Sequence, residues 1–229
     1  MIEILFRAEV KATERSVFID FIEWDVRVAK EDERGSGTLW FDYYEDPEDR
    51  NAFFVYEAYQ NEAAFDAHKR NAPFKRWEAY IKQNVLTEFQ ILFESGKVVC
   101  SSKTLMPHEE AALKSLNEQF AVMEQQRDAE AKAWFDTILS DHLIFRRANE
   151  SMVDKRSFLK GLDYPSPFAR RHMEDVHIIV LVDRVFVLLL VCTTKADGTA
   201  NRYRNIRLFS KAAQSWKLDR WWNYDITNV

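Results

Sequence analysis

The sequence predicts an α+β protein that is divided into two domains near residue 100. The first hundred residues follow the order strand-helix-strand-strand-helix-strand, whereas the remainder begins with helices and ends with long strands. The charge changes at the same point, because residues 1–100 carry a net charge of −7 and residues 101–229 carry +2. We expect domains at 1–97 and 108–229, joined by a linker over 98–107.

The composition is that of a folded protein. Apolar residues make up 47% of the 229 residues, which excludes a disordered chain, and the net charge of −5 argues against a nucleic-acid surface. Glu3 and Arg7 interrupt the N-terminal apolar run, so it is not typical of a signal peptide. The most apolar stretch, 178–192, is too short and too interrupted to span a membrane. Two cysteines give no disulfide framework, and we expect a cytoplasmic protein.

Periodicity places the elements of the first domain. Alternating apolar residues predict the first strand, and Thr13 is expected to cap the helix that follows it. Two aromatic runs joined by a turn-forming segment predict a hairpin, and Asn61 is expected to cap the next helix. Pro73 restarts the chain as a further helix. The predicted strands of this domain are 2–10, 38–45, 52–60 and 86–93.

The second domain is predicted to begin with a helix at Pro107 and a further helix capped by Asp128. A short strand at 142–147 and a short helix at 155–162 precede the long strands, which we place at 174–182, 184–195, 202–210 and 215–226. Residues 185–192 are apolar at every position, so both faces of that strand should be covered. We expect another subunit to cover the second face.

The first half resembles the antibiotic biosynthesis monooxygenase superfamily. The resemblance is carried by the strands GTLWFDYYED and NAFFVYEAYQ and by the segment NEAAFDAHKRNAPFKRW that follows them. It implies a ferredoxin-like fold, in which two subunits pair their sheets into a dimeric α+β barrel. It also implies a pocket in each subunit between the sheet and the helices.

The second half resembles the nuclear-transport-factor-2-like superfamily, and within it the SnoaL-like proteins. The resemblance is carried by LNEQFAVMEQQRDAEAKAWFDTILSDHLIF, by DKRSFLKGL, and by strand hairpins that end in WKLDRWWNYDI. It implies a cone-shaped α+β fold, with a curved sheet wrapped by helices around an internal pocket. This order of elements is specific for a fold and says little about activity.

His68 is the sharpest candidate for chemistry. The resemblance implies that its helix lies near the pocket, where an imidazole can exchange a proton with a ligand. We expect His68 and Tyr59 to be the catalytic residues, although either side chain could simply pack in the core. The expected substrate-binding residues are aromatic: Trp40, Phe41, Tyr43, Tyr56, Phe74 and Trp77. In the second domain, Arg146 and Trp134 are expected to line a pocket, and a solvated or salt-bridged Arg146-Arg147 pair is the plainer alternative.

Two chemistries of related proteins are disfavoured by the residues. Haem degradation requires an Asn on the first strand, a Trp on the helix and a later His ligand, and residues 1–12 contain no Asn. The base of ketosteroid isomerases would fall where Arg146 and Arg147 stand. His172 and His177 point to opposite faces of an ideal strand, so they should not share a metal ion. We therefore expect neither a cofactor nor a metal.

These observations predict a cofactor-independent monooxygenase that acts on a small aromatic or quinol-type substrate. The alternative is a non-catalytic protein that binds a small molecule or serves in assembly, because both resembled folds pair readily. A third hypothesis is an isomerase that uses His68. We expect a small-molecule ligand, no nucleic-acid or membrane partner, and a homodimer or higher homo-oligomer.

Overall fold

The structure is a computed structural model that describes residues 1–101, 105–181, 184–212 and 215–228. The chain forms two compact units, Met1–Cys100 and Ser101–Val229. Within the predicted linker 98–107, residues 102–104 lie outside the described residues. None of the helices in the described part of the chain is long and apolar enough to cross a bilayer.

The first unit has the predicted order of elements. It contains β1 (Ile2–Val10), α1 (Arg15–Glu31), β2 (Thr38–Glu45), β3 (Ala52–Tyr59), α2 (Glu62–Lys69), α3 (Ala72–Lys82), β4 (Leu86–Glu94) and a short β5 (Lys97–Val98). Short 3-10 helices lie at Ala12–Glu14 and Arg34–Ser36. The sheet order is β2-β3-β1-β4-β5, and every pairing in it is antiparallel. Four strands in this order with two helical connections form the ferredoxin-like topology.

The core of the first unit lies between the sheet and its helices. Phe18 and Ile22 of α1 pack against β1 and β3, where Phe6 and Phe53 belong to the same buried cluster. Because successive strand residues point to opposite faces, Phe53, Val55, Glu57 and Tyr59 share the helix-facing side of β3. This register places one acidic side chain and one phenol beneath the helices.

The second unit packs three helices against a six-stranded sheet. Its elements are α4 (Pro107–Gln126), α5 (Ala129–Ile138), β6 (Leu139–Arg146), β7 (Met152–Val153), α6 (Lys155–Gly161), β8 (Arg170–Val180), β9 (Arg184–Thr194), β10 (Ala200–Ala212) and β11 (Ser215–Asp225). The sheet order is β7-β6-β11-β10-β9-β8. Its pairings are antiparallel except that β6 runs parallel to β11. Aromatic side chains from α4, α5, α6 and β11 form the centre of the core.

Most predicted caps are present, and one is wrong. Asn61 and Asp128 accept hydrogen bonds from the backbone N–H groups of the first turns of α2 and α5. Thr13 does not cap α1, because a 3-10 turn precedes that helix and Glu14 occupies its N-cap position. Side chains on both faces of β9 are buried, as its unbroken apolar run predicts. The second subunit that we expect against this strand stays a prediction.

Candidate functional site

A cluster of buried polar side chains lies between the sheet and the helices of the first unit. Asp25 comes from α1, Glu33 from the segment after it, Glu57 and Tyr59 from β3, and His68 from α2. Each of the five is less than 9% exposed. Charged groups are almost never buried without partners, because burial removes their hydration. We refer to these five residues as the Glu33–His68 cluster.

Glu33 and His68 are in direct contact. Nδ1 of His68 lies 2.9 Å from Oε2 of Glu33, and Thr38 donates its hydroxyl to the same oxygen at 3.1 Å. The side-chain amide of Asn71 donates to Oε1 of Glu33. Asn71 also caps α3 by accepting the N–H of Phe74 at 2.6 Å. Both oxygens of Glu33 are therefore held by hydrogen bonds.

The opposite side of the imidazole faces a second carboxylate. Nε2 of His68 lies 3.9 Å from Oε2 of Glu57, and the hydroxyl of Tyr59 donates to that same oxygen at 2.7 Å. The rings of Phe41 and Tyr59 lie 5.3 and 5.2 Å from the imidazole centre, and Phe74 meets it edge-on. Aromatic rings therefore fix the imidazole in place between two acids.

Asp25 completes the cluster from α1. It is 4% exposed, and its Oδ1 has no hydrogen-bond partner among the described residues. Burial raises the pKa of Asp25 to about 7, the charge of His68 works against this rise, and the charges of Glu57 and Glu33 add to it. A carboxyl group with a pKa near 7 can accept or release a proton under physiological conditions.

The remaining groups titrate as a coupled set. Burial opposes the charged form of His68, but the hydrogen bond to Glu33 and the charges of Glu57 and Asp25 outweigh it, and the pKa of His68 is raised. Burial likewise opposes the charge on Glu33, yet hydrogen bonds from His68 and Asn71 hold its pKa below the ordinary value. Burial raises the pKa of Glu57 and of Tyr59. Shifts of this kind concentrate at functional sites.

A cavity of about 490 Å³ adjoins the cluster. Trp24, Val28 and Pro73 contribute apolar surface to it, and Glu33 and Asn71 contribute polar groups. His68 is not among its lining residues and is 1% exposed, so Glu33 is the member of the cluster that a ligand in this cavity would contact.

The structure separates the aromatic residues that the sequence singled out. Tyr59, Phe41 and Phe74 surround His68. Tyr43 donates its hydroxyl to Glu23 and packs near Phe53. Trp77 packs against the buried rings of Phe6, Phe18 and Phe21 and against the exposed ring of Phe89.

Two others lie across the sheet from the cluster. Tyr56 alternates with Glu57 and Tyr59 on β3, and its hydroxyl donates to Glu3 at 2.7 Å. Trp40 precedes Phe41 on β2 and pairs with Ala58. The expected roles of Trp40 and Tyr56 in substrate binding therefore have no support from the cluster geometry.

Sequence reasoning missed three acids of the cluster. Asp25 follows Phe18 by seven residues and precedes Ala29 by four, which places a carboxylate on the buried stripe of α1. Glu57 is the one charged residue inside the strand AFFVYEAY. These two positions carried a readable signal. Glu33 carried none, because it follows the helix and reaches His68 only through the tertiary fold.

In the second unit, Arg146 and Trp134, which the sequence places at a pocket, contact other residues of the folded domain. Arg146 donates to the backbone oxygen of Asn223 at 3.2 Å and lies over the ring of Tyr224. Trp134 packs edge-on against Phe120 and Phe135. The largest cavity described in this unit is lined by Arg147 and by neither of these two residues.

One group of metal-type donors occurs in the described part of the chain. The ligand atoms of His172, Glu174 and Cys192 lie within 4.8 Å of one another on β8 and β9. His172 and Glu174 are exposed and bind each other at 3.0 Å. His177 lies beyond a bulge, where Asp175 has a φ of 51°. This group belongs to the second unit and is separate from the Glu33–His68 cluster.

Comparison with known proteins finds a family match within the first unit. Residues 1–80 match the antibiotic biosynthesis monooxygenase family. All five residues of the Glu33–His68 cluster lie within this match. The match confirms the resemblance stated for the first half. None of the curated proteins matches the chain.

Solved structures resemble each half separately. An NTF2-like protein from Cytophaga hutchinsonii is 17% identical, with 53% of this chain and 100% of that chain covered and a TM-score of 0.45. An NTF-2-like protein of unknown function from Pseudomonas aeruginosa is 9% identical, with 50% and 98% covered and a TM-score of 0.45. The NTF2-like proteins cover the later part of this chain. A structure of an antibiotic biosynthesis monooxygenase is 18% identical, with 43% and 99% covered and a TM-score of 0.37.

Proposed function

We propose that the first unit is a cofactor-independent monooxygenase for a small aromatic or quinol-type substrate. The main support for this proposal is that Glu33 lines the cavity and also contacts His68, with Oε2 of Glu33 2.9 Å from Nδ1 of His68. A ligand in the cavity is thereby connected to a buried set of titrating groups.

The chemistry requires removal of a substrate proton. An electron-rich anion can reduce oxygen directly, and an anthrone-type CH₂ group reacts with O₂ to give a C=O group and one water. Glu33 would accept the proton from the bound substrate only transiently, because its own pKa is lowered, and would pass it on to the cluster. The pKa of about 7 at Asp25 gives the cluster a group that is ready to take up that proton near neutral pH.

The role of His68 in this proposal is positioning. Its imidazole holds Glu33 on one side and faces Glu57 on the other, so it joins the two carboxylates. Tyr59 binds Glu57 and acts within the same network, without contact to the cavity. The flat apolar surface of Trp24 and Pro73 would hold the substrate ring.

Oxygen consumption with a panel of quinols and anthrones tests the proposal. Wild type should consume oxygen with at least one compound, and Glu33→Gln should lose at least about a hundredfold in rate, in the range of general acid-base effects. Asp20→Asn is the matched control, because Asp20 is an exposed acid on α1 that does not line the cavity. Its rate should stay within about twofold of wild type.

The second candidate function is non-catalytic binding of a small molecule. It is favoured by the 1% exposure of His68, since a ligand in the cavity would not reach the imidazole. Binding of panel compounds to the full chain, without oxygen consumption by any variant, would support this candidate and contradict the monooxygenase.

A further inference from the structure

The second unit contains a cavity of about 730 Å³ with an aromatic wall. Phe145, Phe158 and Trp221 line it, and the rings of Phe145 and Trp221 stack with centres 4.1 Å apart. Val153 and Leu162 add aliphatic surface. A cavity of this size accommodates a small organic ligand, and this wall favours a flat ring.

The same cavity is strongly basic. Four cationic side chains line it, and they are Arg127, Arg147, Lys160 and Arg171. Glu124 is the one acidic residue among the lining residues. The chain as a whole carries a net charge of −5. An excess of three positive charges in one concave site therefore runs against the overall charge and favours an anionic ligand.

The cations of the cavity are incompletely paired. Arg171 binds Glu124 through Nη1, but its Nε is buried without a hydrogen-bond partner in the described residues, and its side chain is only 10% exposed. Arg127 donates to the backbone oxygens of Glu124, Gly161 and Tyr164. Within the described ranges, no carboxylate oxygen lies within 4.0 Å of Arg127, Arg147 or Lys160.

A fifth cation lies behind the cavity wall. Arg207 is 1% exposed and donates to the side-chain oxygens of Asn117 and Asn205. It also lies 4.9 Å from the ring centre of Trp221, and both Asn205 and Trp221 line the cavity. A buried guanidinium whose hydrogen-bond partners are neutral amides adds to the positive potential inside the cavity.

We propose that this cavity binds a small aromatic carboxylate. The ring would lie against Phe145 and Phe158. The carboxylate would bind Arg127, Arg147 and Lys160, which line the cavity and have no carboxylate partner in the described residues. The planar N–H fork of arginine matches a carboxylate with two parallel hydrogen bonds. An aryl phosphate shares this anion chemistry, and the test separates the two. The site is independent of the Glu33–His68 cluster, which lies in the other unit.

Calorimetric titration of the full chain with three matched probes tests the head group. The probes are 2-naphthoate, 2-naphthalenemethanol and 2-naphthyl phosphate. We expect 2-naphthoate to bind at least tenfold more tightly than the uncharged alcohol and no more weakly than the phosphate. Its affinity should fall as salt is raised, because the attraction is electrostatic.

Variants of exposed residues locate the site without disturbing the core. Lys160→Gln and Arg147→Gln together should weaken 2-naphthoate binding at least tenfold. Arg156→Gln is the matched control, because Arg156 lies on α6 with Lys160 and is exposed, but does not line the cavity. Its affinity should stay within twofold of wild type.

Four results would overturn the proposal. They are equal affinities for the acid and the alcohol, tighter binding of the phosphate than of the carboxylate, no binding of 2-naphthoate at millimolar concentration, and unchanged affinity in the Lys160→Gln and Arg147→Gln double variant. None of these results bears on oxygen consumption by the first unit, so the two proposals fail separately.

Discussion

Oε2 of Glu33 lies 2.9 Å from Nδ1 of His68, although the two residues are 35 positions apart in the chain. The first belongs to the segment between α1 and β2, and the second to the last turn of α2. Their contact joins the helix layer to a cavity at its edge. It also couples the protonation of the imidazole to that of three buried carboxylates.

The first prediction concerns the pKa of His68. Glu33→Gln removes the charged partner of the imidazole and leaves burial, which favours the neutral ring. The pKa of His68 should therefore fall, and NMR titration of the imidazole protons measures it. An unchanged pKa in the variant would show that Glu33 does not control this group.

The same pair predicts a pH window for stability. The contribution of Glu33, whose pKa is lowered, is present above its ordinary value of 4.5 and is lost as the pH falls through the folded pKa. The contribution of His68, whose pKa is raised, is present below 6.5 and is lost as the pH rises through the folded pKa. Chemical unfolding should show Glu33→Gln to be destabilised by about 1–3 kcal/mol between these two values, and by less at pH 9. If Glu33→Gln lost as much stability at pH 9 as between pH 4.5 and 6.5, the result would contradict the pairing of Glu33 with His68.

Replacement of Asp25 is predicted to stabilise the protein, whereas replacement of Glu33 is predicted to destabilise it. The pKa of Asp25 is raised from 3.8 to about 7, so the folded state favours the protonated form; this contribution is fully present below pH 3.8 and is lost as the pH rises from there through 7. Because one pKa unit corresponds to about 1.4 kcal/mol, Asp25→Asn should stabilise the protein by at least about 2 kcal/mol at pH 8 and by little at pH 4. Chemical unfolding at the two values measures this difference.

Asp20→Asn is the control for Asp25. Asp20 lies on α1 but is exposed, so its removal should change the free energy of unfolding by less than about 0.5 kcal/mol at both pH values. A loss of stability in Asp25→Asn at pH 8 would mean that the carboxylate makes a favourable ionised contact.

Gly37 supports the position of α2 and yields a further prediction. Its φ is +103°, and a Cβ atom there would lie 2.8 Å from Cβ of Ala64 in α2. Gly37→Ala should therefore combine backbone strain with a steric clash. It should lower the free energy of unfolding by more than the loss expected from strain alone, which is about 1–2 kcal/mol. Gly96→Ala is the control, since Gly96 has a φ of +84° and open space around it. Equal losses in thermal unfolding would show that the contact with Ala64 is unimportant.

The sequence predicted the elements of both units well and the site only in part. Alternation and helical stripes are local signals, which is why β1, α1 and the long strands β8 to β11 were predictable. Asn61 and Asp128 were predictable because capping depends on neighbouring residues. The prediction that Thr13 caps α1 was wrong because the 3-10 turn before that helix has no clear sequence signature.

The site depends on contacts between residues that are far apart in the chain. His68 and Tyr59 could be identified from the sequence, yet the partners that shift the pKa of the imidazole come from α1 and the segment after it. In the second unit, Arg147 and not Arg146 lines the cavity. Alternate residues on a strand face opposite sides, so an error of one position at the end of β6 exchanges a cavity residue for a core residue.

The most direct test of the central claim is a double-mutant comparison of oxygen consumption. The initial rate is measured with the best panel substrate for wild type, Glu33→Gln, His68→Asn and the double variant. If the two residues act as one unit, each single variant should lose at least about a hundredfold, and the double variant should lose no more than the worse single one. Wild-type rates in Glu33→Gln, or no oxygen consumption by wild type with any compound, would contradict the account.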